Sequence, residues 1–398
     1  MSYPKLITSA LVLMLITGCS WFGDDDEDAT KPVPLTKINE EVTLEKLWEI
    51  KVGDATVGKG TRLTPWVQGT RVFSASVDGR VIAVQASTGK QIWETSVKGS
   101  YGGKGGFFKG SGLEVVSGGV GGSADLVFVG TTKGDLIALN QSDGSVAWQA
   151  KATSEILSAP QAGEDIVVAQ TIDGKVIAYD LIDGEQRWLY SASVPSLTLR
   201  GTANLIVIAD FVVAGFANGR VVVLSTDQGI PRMEQRVANA QGRSDLERLI
   251  DVDGRMVVAG DTLYAVSYQG NLVAIDMVGS RLRWAIESSS WSGLAEGFGN
   301  IYIAQADGRV TALDRENSRD VWEIESLKYR ELSSPATVSS YVVVGDYEGY
   351  LHLLAQADGR FVGRRKIDNE AIRAPVVSDG NRIYYMGVSG RLSAFEIR

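Results

Sequence analysis

The chain has 398 residues, 44% hydrophobic and 22% charged, with a formal net charge of −9 at pH 7. That balance is ordinary for a globular chain able to bury a core, and its acidity argues against a nucleic-acid partner, which needs a basic surface. The single Cys, Cys19, excludes an intramolecular disulfide framework and any Cys-rich zinc site, and the single His, His352, excludes a multi-histidine metal centre.

Lys5 precedes an apolar run from Leu6 to Ile16, broken only by Thr8 and Ser9. The run suits a signal-peptide core and is too short to span a bilayer as a helix. It ends in Ile16-Thr17-Gly18-Cys19, where small residues before a Cys resemble a bacterial lipobox. Residues 1–18 thus read as a lipoprotein signal peptide, with Cys19 the lipidated first residue of the mature chain. The alternative is an ordinary secretory signal with a chance Cys. Against it, Cys19 stands at the cleavage position and has no counterpart elsewhere. Ser20, rather than Asp, follows it, which by the sorting rule of such lipoproteins marks an outer-membrane address. Residues 19–43 read as a flexible acidic tether, because Asp24-Asp25-Asp26-Glu27-Asp28 repel one another and Pro32 and Pro34 resist regular structure. The acidic run is taken as a solvated spacer rather than a Ca²⁺ site. The chain is therefore expected to be anchored to a membrane by lipid, not to span it.

From residue 44 onward the sequence repeats. A turn Gly is followed fourteen residues later by Trp in the pairs Gly79/Trp93, Gly134/Trp148, Gly174/Trp188, Gly270/Trp284 and Gly308/Trp322. Gly219 and Gly349 hold the register, with Met233 and Gly363 in place of Trp, and Gly390 is the eighth glycine. A period of about 40–50 residues with this strand pattern indicates a propeller. In the third unit Ile166–Gln170 reads as a strand, Asp173-Gly174 as a hairpin turn and Val176–Tyr179 as the return strand. Asp183-Gly184 is a second turn, and Gln186-Arg187-Trp188 begins a third strand. Ser158-Ala159-Pro160 leads into an innermost one. Each unit is thus a four-stranded antiparallel blade. Small residues four positions after the turn Gly, such as Ala83, Ala138 and Ala178, are expected to let a neighbouring blade's Trp pack closely. The eighth unit ends before its Trp position, and Leu44–Trp48 carries the orphan Trp. The expected fold is an all-β, eight-bladed β-propeller over 44–398, closed by an N-terminal strand completing the last blade. Closure removes the unpaired edges of an open array.

The Asp-Gly turns and in-register Trp resemble the quinoprotein dehydrogenases, eight-bladed propellers that hold pyrroloquinoline quinone and Ca²⁺ in a central funnel. The resemblance covers only fold-forming residues. Those enzymes' vicinal cysteines have no counterpart here, Asp78, Asp173 and Asp307 read as hairpin residues, and the Trp set reads as packing. The reading is therefore not an enzyme, with no catalytic residue, cofactor or metal assigned. Gly102-Gly103-Lys104-Gly105-Gly106 lacks the ending of a phosphate-binding loop, and His352, in the run Tyr350–Leu353, reads as a core or strand-surface His rather than a triad member.

Departures from the repeat carry the functional signal. A Gly-rich insertion spans about 99–125 and a polar one about 234–248. Blades 4 and 5 replace the leading Pro with Leu197-Thr198-Leu199-Arg200-Gly201 and Leu249-Ile250-Asp251-Val252-Asp253. Leucines beside an Arg and two Asp suit a protein interface, with apolar anchors and charged groups that set register. The alternative is drift, with Asp253-Gly254 as a turn. Lipobox, acidic spacer and Trp-marked propeller together resemble the BamB family, lipoprotein subunits of the outer-membrane β-barrel assembly machinery. The resemblance implies a non-enzymatic scaffold on the periplasmic face of the outer membrane, monomeric within a hetero-oligomeric complex. It further implies that Leu197, Leu199, Arg200, Asp251 and Asp253 bind a periplasmic POTRA domain of BamA, the barrel subunit. Unfolded outer-membrane protein clients are a further possible partner, through blade edges. A quinone-type dehydrogenase, or a propeller binding another envelope partner, is the alternative.

Overall fold

The computed structural model describes residues 31–54, 63–99, 115–195, 197–198, 203–239, 243–244 and 249–398. Cys19 and the acidic run lie outside them, as does the Gly102–Gly106 stretch. The described strands form eight four-stranded antiparallel sheets, each a blade in chain order from innermost to outer strand. Blade 3 has Gln161–Ala162, Ile166–Thr171, Lys175–Asp180 and Gln186–Ser191, close to the boundaries read from sequence. Blade 8 is composite. Val377–Asp379, Arg382–Met386 and Arg391–Ile397 are joined by Leu44–Lys51, which pairs antiparallel with Arg391–Ile397 in the register Leu44↔Ile397 and Trp48↔Ala394. The ring is therefore closed by the N-terminal strand.

The buried apolar clusters lie between successive blades: residues of blades 3 and 4 share one, blades 4 and 5 another, blades 5 and 6 a third. The tryptophans join these layers. Each in-register Trp stands on an outer strand, buried except for the half-buried Trp284, and donates its indole N–H to a carbonyl of the next blade's turn between third and outer strands. Trp93 bonds Gln141 O at 2.8 Å, Trp148 bonds Leu181 O at 3.1 Å and Trp188 bonds Thr226 O at 2.7 Å. Trp48 does the same across the closure, to Ala86 O of blade 1 at 2.9 Å. The small residue against the indole differs from the one expected. Ala83, Ala138 and Ala178 pair across strands with the Trp of their own blade. The residue that receives the neighbour's ring is the turn Gly: a Cβ on Gly89 would stand 2.6 Å from Trp48 Cδ2.

Both missing tryptophans have structural reasons. Met233 is 8% exposed and packs in the cluster shared by blades 4 and 5. It fills the indole's place in the core. At Gly363 the receiving hairpin does not exist, because blade 8 takes its outer strand from the N-terminus. The incoming chain occupies that space instead: Glu41 N and Val42 N bond Val362 O at 2.7 and 3.0 Å, and a Cβ on Gly363 would stand 2.9 Å from Val42 O.

Two further differences concern segment boundaries. The Gly-rich insertion read over 99–125 contains the innermost strand of blade 2, Val116–Gly122. Its glycines carry no side chain because neighbouring strands crowd them: a Cβ on Gly121 would collide with Pro160 O, and one on Gly122 with the Trp66 ring. Within the span read as tether, Val33 to Thr43 are bonded to the propeller. Val33 N donates to Lys328 O, Arg364 Nη1 donates to Thr36 O, and Thr43 exchanges bonds with Arg398.

This docked segment covers a buried polar cluster containing the chain's one histidine. Asp346 and His352 are fully buried and Arg330 is 2% exposed. Asp346 Oδ2 accepts from Arg330 Nε at 2.8 Å and lies 3.0 Å from His352 Nε2. Asp346 Oδ1 accepts the backbone N–H groups of Glu348 and Tyr350. Arg364 Nε donates to His352 Nδ1 at 2.9 Å, so the neutral imidazole carries its proton on Nε2 and donates to Asp346. Arg330 Nη1 reaches Val33 O at 3.1 Å. His352 is thus a bonded core residue, satisfied on both nitrogens.

Candidate partner interface at blades 3 to 5

In an antiparallel meander, the link from an outer strand to the next blade emerges at the same end as the turn between second and third strands. Two such links carry the candidate residues. The first joins Gln186–Ser191 of blade 3 to Ile206–Ile208 of blade 4; the second joins Pro231–Arg236 of blade 4 to Val257–Ala259 of blade 5.

The first link is held at its start, where Ala192 N bonds Gly174 O at 2.9 Å and Asn218 Nδ2 donates to Ser193 O at 3.1 Å. Ala203 and Leu205 bury its end. Between them the chain leaves the core: Leu197 is 45% exposed, and Val194 beside it is also exposed. Leu199 and Arg200 lie outside the described residues.

The second link returns to the core. Leu249, Ile250, Val252 and Met256 are buried, and Tyr268 N bonds Asp251 O at 3.0 Å. Asp251 is only 1% exposed, so its carboxylate is enclosed rather than presented as a surface charge. Asp253 is half-buried. It lines a crevice of about 20 Å³ together with Thr198, Val194, Gln170 and Phe216. The two predicted segments thus meet at one place, the seam of blades 3 and 4. Gly215 permits this approach, since a Cβ there would stand 2.7 Å from Val252 O.

The central channel is a second concavity, about 550 Å³, walled by innermost strands. Its lining includes Trp66, Leu205, Ile206, Met256 and Val376, and one charged residue, Arg255. A Ca²⁺-dependent quinone needs several oxygen ligands, carboxylates foremost. A wall whose charge is a guanidinium does not fit that group. The turn aspartates are engaged locally: Arg309 N and Nε donate to Asp307, and Lys175 Nζ stands 2.9 Å from Asp173. Sequence reasoning did not single out Arg255 or Val194. Arg255 follows Asp253-Gly254, where other blades place a Ser-Pro or Ala-Pro lead-in, and a cation at that step was the available signal.

Comparison with known proteins follows the same lines. A family model described as outer membrane protein assembly factor BamB matches residues 104–324, and one for the β-propeller domain of glucose, ethanol and alcohol dehydrogenases matches 22–149. The outer membrane protein assembly factor BamB of Pseudomonas aeruginosa is 44% identical over 385 residues, 97% of each chain. That of Escherichia coli is 36% identical over 376 residues, 94% of each chain. Among solved structures, BamB from Moraxella catarrhalis superposes with a TM-score of 0.78 at 27% identity, over 89% of this chain and all of that one. The quinohemoprotein alcohol dehydrogenase of Comamonas testosteroni reaches a TM-score of 0.68 at 15% identity, over 89% of this chain and 76% of its own; that likeness concerns the fold.

Proposed function

The chain belongs to the BamB family of outer membrane protein assembly factors, and we propose that it works there as a lipid-anchored scaffold that binds a periplasmic POTRA domain of BamA. It is an assembly factor rather than an enzyme, as its relatives are. The observation that carries the interface is the meeting of two separate inter-blade links at the seam of blades 3 and 4, with Leu197 exposed beside it. Leu197 and Leu199 would bury apolar surface against the partner, and Arg200 and Asp253 would set orientation. Asp251, being buried, would act by holding the second link in place. A central Arg anchor can cost about 2 kcal/mol or more of binding when truncated, and a Leu commonly costs less.

The test is binding of the full chain to the BamA periplasmic region, comparing wild type with Leu197→Ala and Arg200→Ala, each checked for an unchanged melting temperature. At least a tenfold weaker complex with folding intact supports the interface. Wild-type binding that neither substitution weakens removes it from blades 3 to 5. The anchor is tested separately. Cys19→Ser is expected to abolish acylation, read as palmitate labelling, and to release the chain from outer-membrane fractions. Continued labelling would refute the lipid assignment. Client capture at blade edges by β-augmentation is part of the same proposal. Hydrogen exchange without client-dependent protection of any outer strand would count against it.

A further inference from the structure

Among the described residues, Arg255 is the one charged residue in the lining of the central channel. Its backbone is pinned to blade 6, with Arg255 N bonded to Ser292 O at 3.3 Å and Leu294 N bonded to Arg255 O at 2.8 Å. Its side chain is water-accessible and lines the central channel. Among the described residues no carboxylate is paired with it, and no acidic residue lines the channel with it. Arg330 shows the usual arrangement by contrast, its guanidinium shared by Asp346 and Glu348. Protein packed around Arg255 lowers its pKa, yet a guanidinium stays protonated at any physiological pH. The result is a fixed positive charge on a wall whose other described residues are all uncharged.

We propose that the central channel is a binding site for a monoanionic carboxylate carrying an apolar body, anchored by Arg255. One guanidinium offers a planar fork that matches one carboxylate with two parallel N–H···O bonds. The surrounding wall has no other charge to satisfy: apolar Trp66, Leu205, Ile206, Met256 and Val376 alternate with the neutral polar Gln161, Asn204, Thr337 and Ser378, which suits an uncharged body with a large apolar part. The volume, about 550 Å³, falls within the range of small-molecule sites. The acidity of the chain, −9 overall, disfavours a polyanion, and a dianionic phosphate would call for a second cation or a nest of backbone N–H groups. The carboxylate has two possible sources, a free organic acid or the end of a polypeptide inserted into the channel. This inference is independent of the interface at blades 3 to 5.

The experiment is titration calorimetry and saturation-transfer NMR on the full chain, wild type and Arg255→Met. The probes are phenylpropanoate, its neutral analogue phenylpropanol, and an apolar dipeptide with either a free or an amidated C-terminus. Saturable one-to-one binding of phenylpropanoate, weakened at least tenfold both by Arg255→Met and by replacing the probe with phenylpropanol, supports a free acid. Binding of the free-acid dipeptide but not its amide, with the same dependence on Arg255, supports a polypeptide end. Circular dichroism of Arg255→Met shows that any loss is not unfolding. If neither carboxylate binds saturably, or if both bind Arg255→Met as tightly as wild type, the proposal is overturned.

Discussion

At the scale of single residues, the buried cluster around His352 makes the molecule acid-sensitive in a defined way. Burial lowers the His352 pKa below its usual 6.5, outweighing the attraction of Asp346. The geometry agrees: protonating Nδ1 would break its bond from Arg364 and set a cation against a guanidinium. A neutral native His and a protonated unfolded one mean that the unfolded state binds more protons below pH 6.5. Stability from this group is present above 6.5 and is lost as pH falls from there, by up to about 1.4 kcal/mol per unit. Asp346, held below the carboxylate range by His352, backbone N–H groups and Arg330 against the cost of its burial, loses its contribution only at still lower pH. We expect the melting temperature of wild type to fall between pH 7 and 5 more steeply than that of His352→Gln. The variant keeps a donor to Asp346 and does not titrate. It should start lower at pH 7, since the Arg364 N–H loses its acceptor at about 1–3 kcal/mol. Parallel pH profiles in calorimetric melts would show that His352 does not titrate differently on folding.

At the scale of elements, the unit of construction is an indole on one blade lying over a turn glycine of the next. The glycine there has two constraints, and they can be separated. Gly89 has φ +69° and lies under the Trp48 ring, whereas Gly260 has φ +58° with nothing within 4 Å of its missing Cβ. Gly260→Ala should cost only the left-handed backbone penalty, about 1–2 kcal/mol. Gly89→Ala should add the overpacking term, about 1–3 kcal/mol more. Equal losses in urea melts would mean the ring moves aside freely. The same element logic explains what was legible in the sequence. Second and third strands, with their Asp-Gly or similar turns, repeat because each must satisfy the same hairpin and the same packing. Innermost strands obey the neighbouring blades instead, so Val116–Gly122 carries glycines where its neighbours crowd it and reads as an insertion. The candidate site was legible as a departure from the repeat. Burial within it was not: nothing in Asp251-Val252-Asp253 distinguishes the carboxylate that is enclosed from the one that is half-exposed.

At the scale of the whole molecule, the N-terminus has two tasks that meet at the seam. Leu44–Lys51 completes blade 8, and Trp48 carries the closure on to blade 1. Ahead of it, Val33 to Thr43 is clamped on blades 6 and 7 by Lys328 O, Val362 O and the Arg330 and Arg364 guanidinium groups. Leu35 packs against the cluster of those blades. A pull on the chain before Val33 therefore meets this clamp before it meets the closing strand, which suits a propeller held by its N-terminal end. The two layers predict different losses on truncation. Residues through Lys31 are removed in the reference chain. Removing them through Thr43 should lower the melting temperature, because the Arg330 and Arg364 bonds to Val33 O and Thr36 O are lost while the sheet of blade 8 stays whole. Removing them through Lys51 should open the ring, leaving Arg391–Ile397 as an unpaired edge. Hydrogen exchange should then lose protection in Arg391–Ile397 first, ahead of blades 3 to 5. If the truncation through Lys51 melts as cooperatively as the full chain, with Arg391–Ile397 still protected, closure by the N-terminal strand is not what holds the ring.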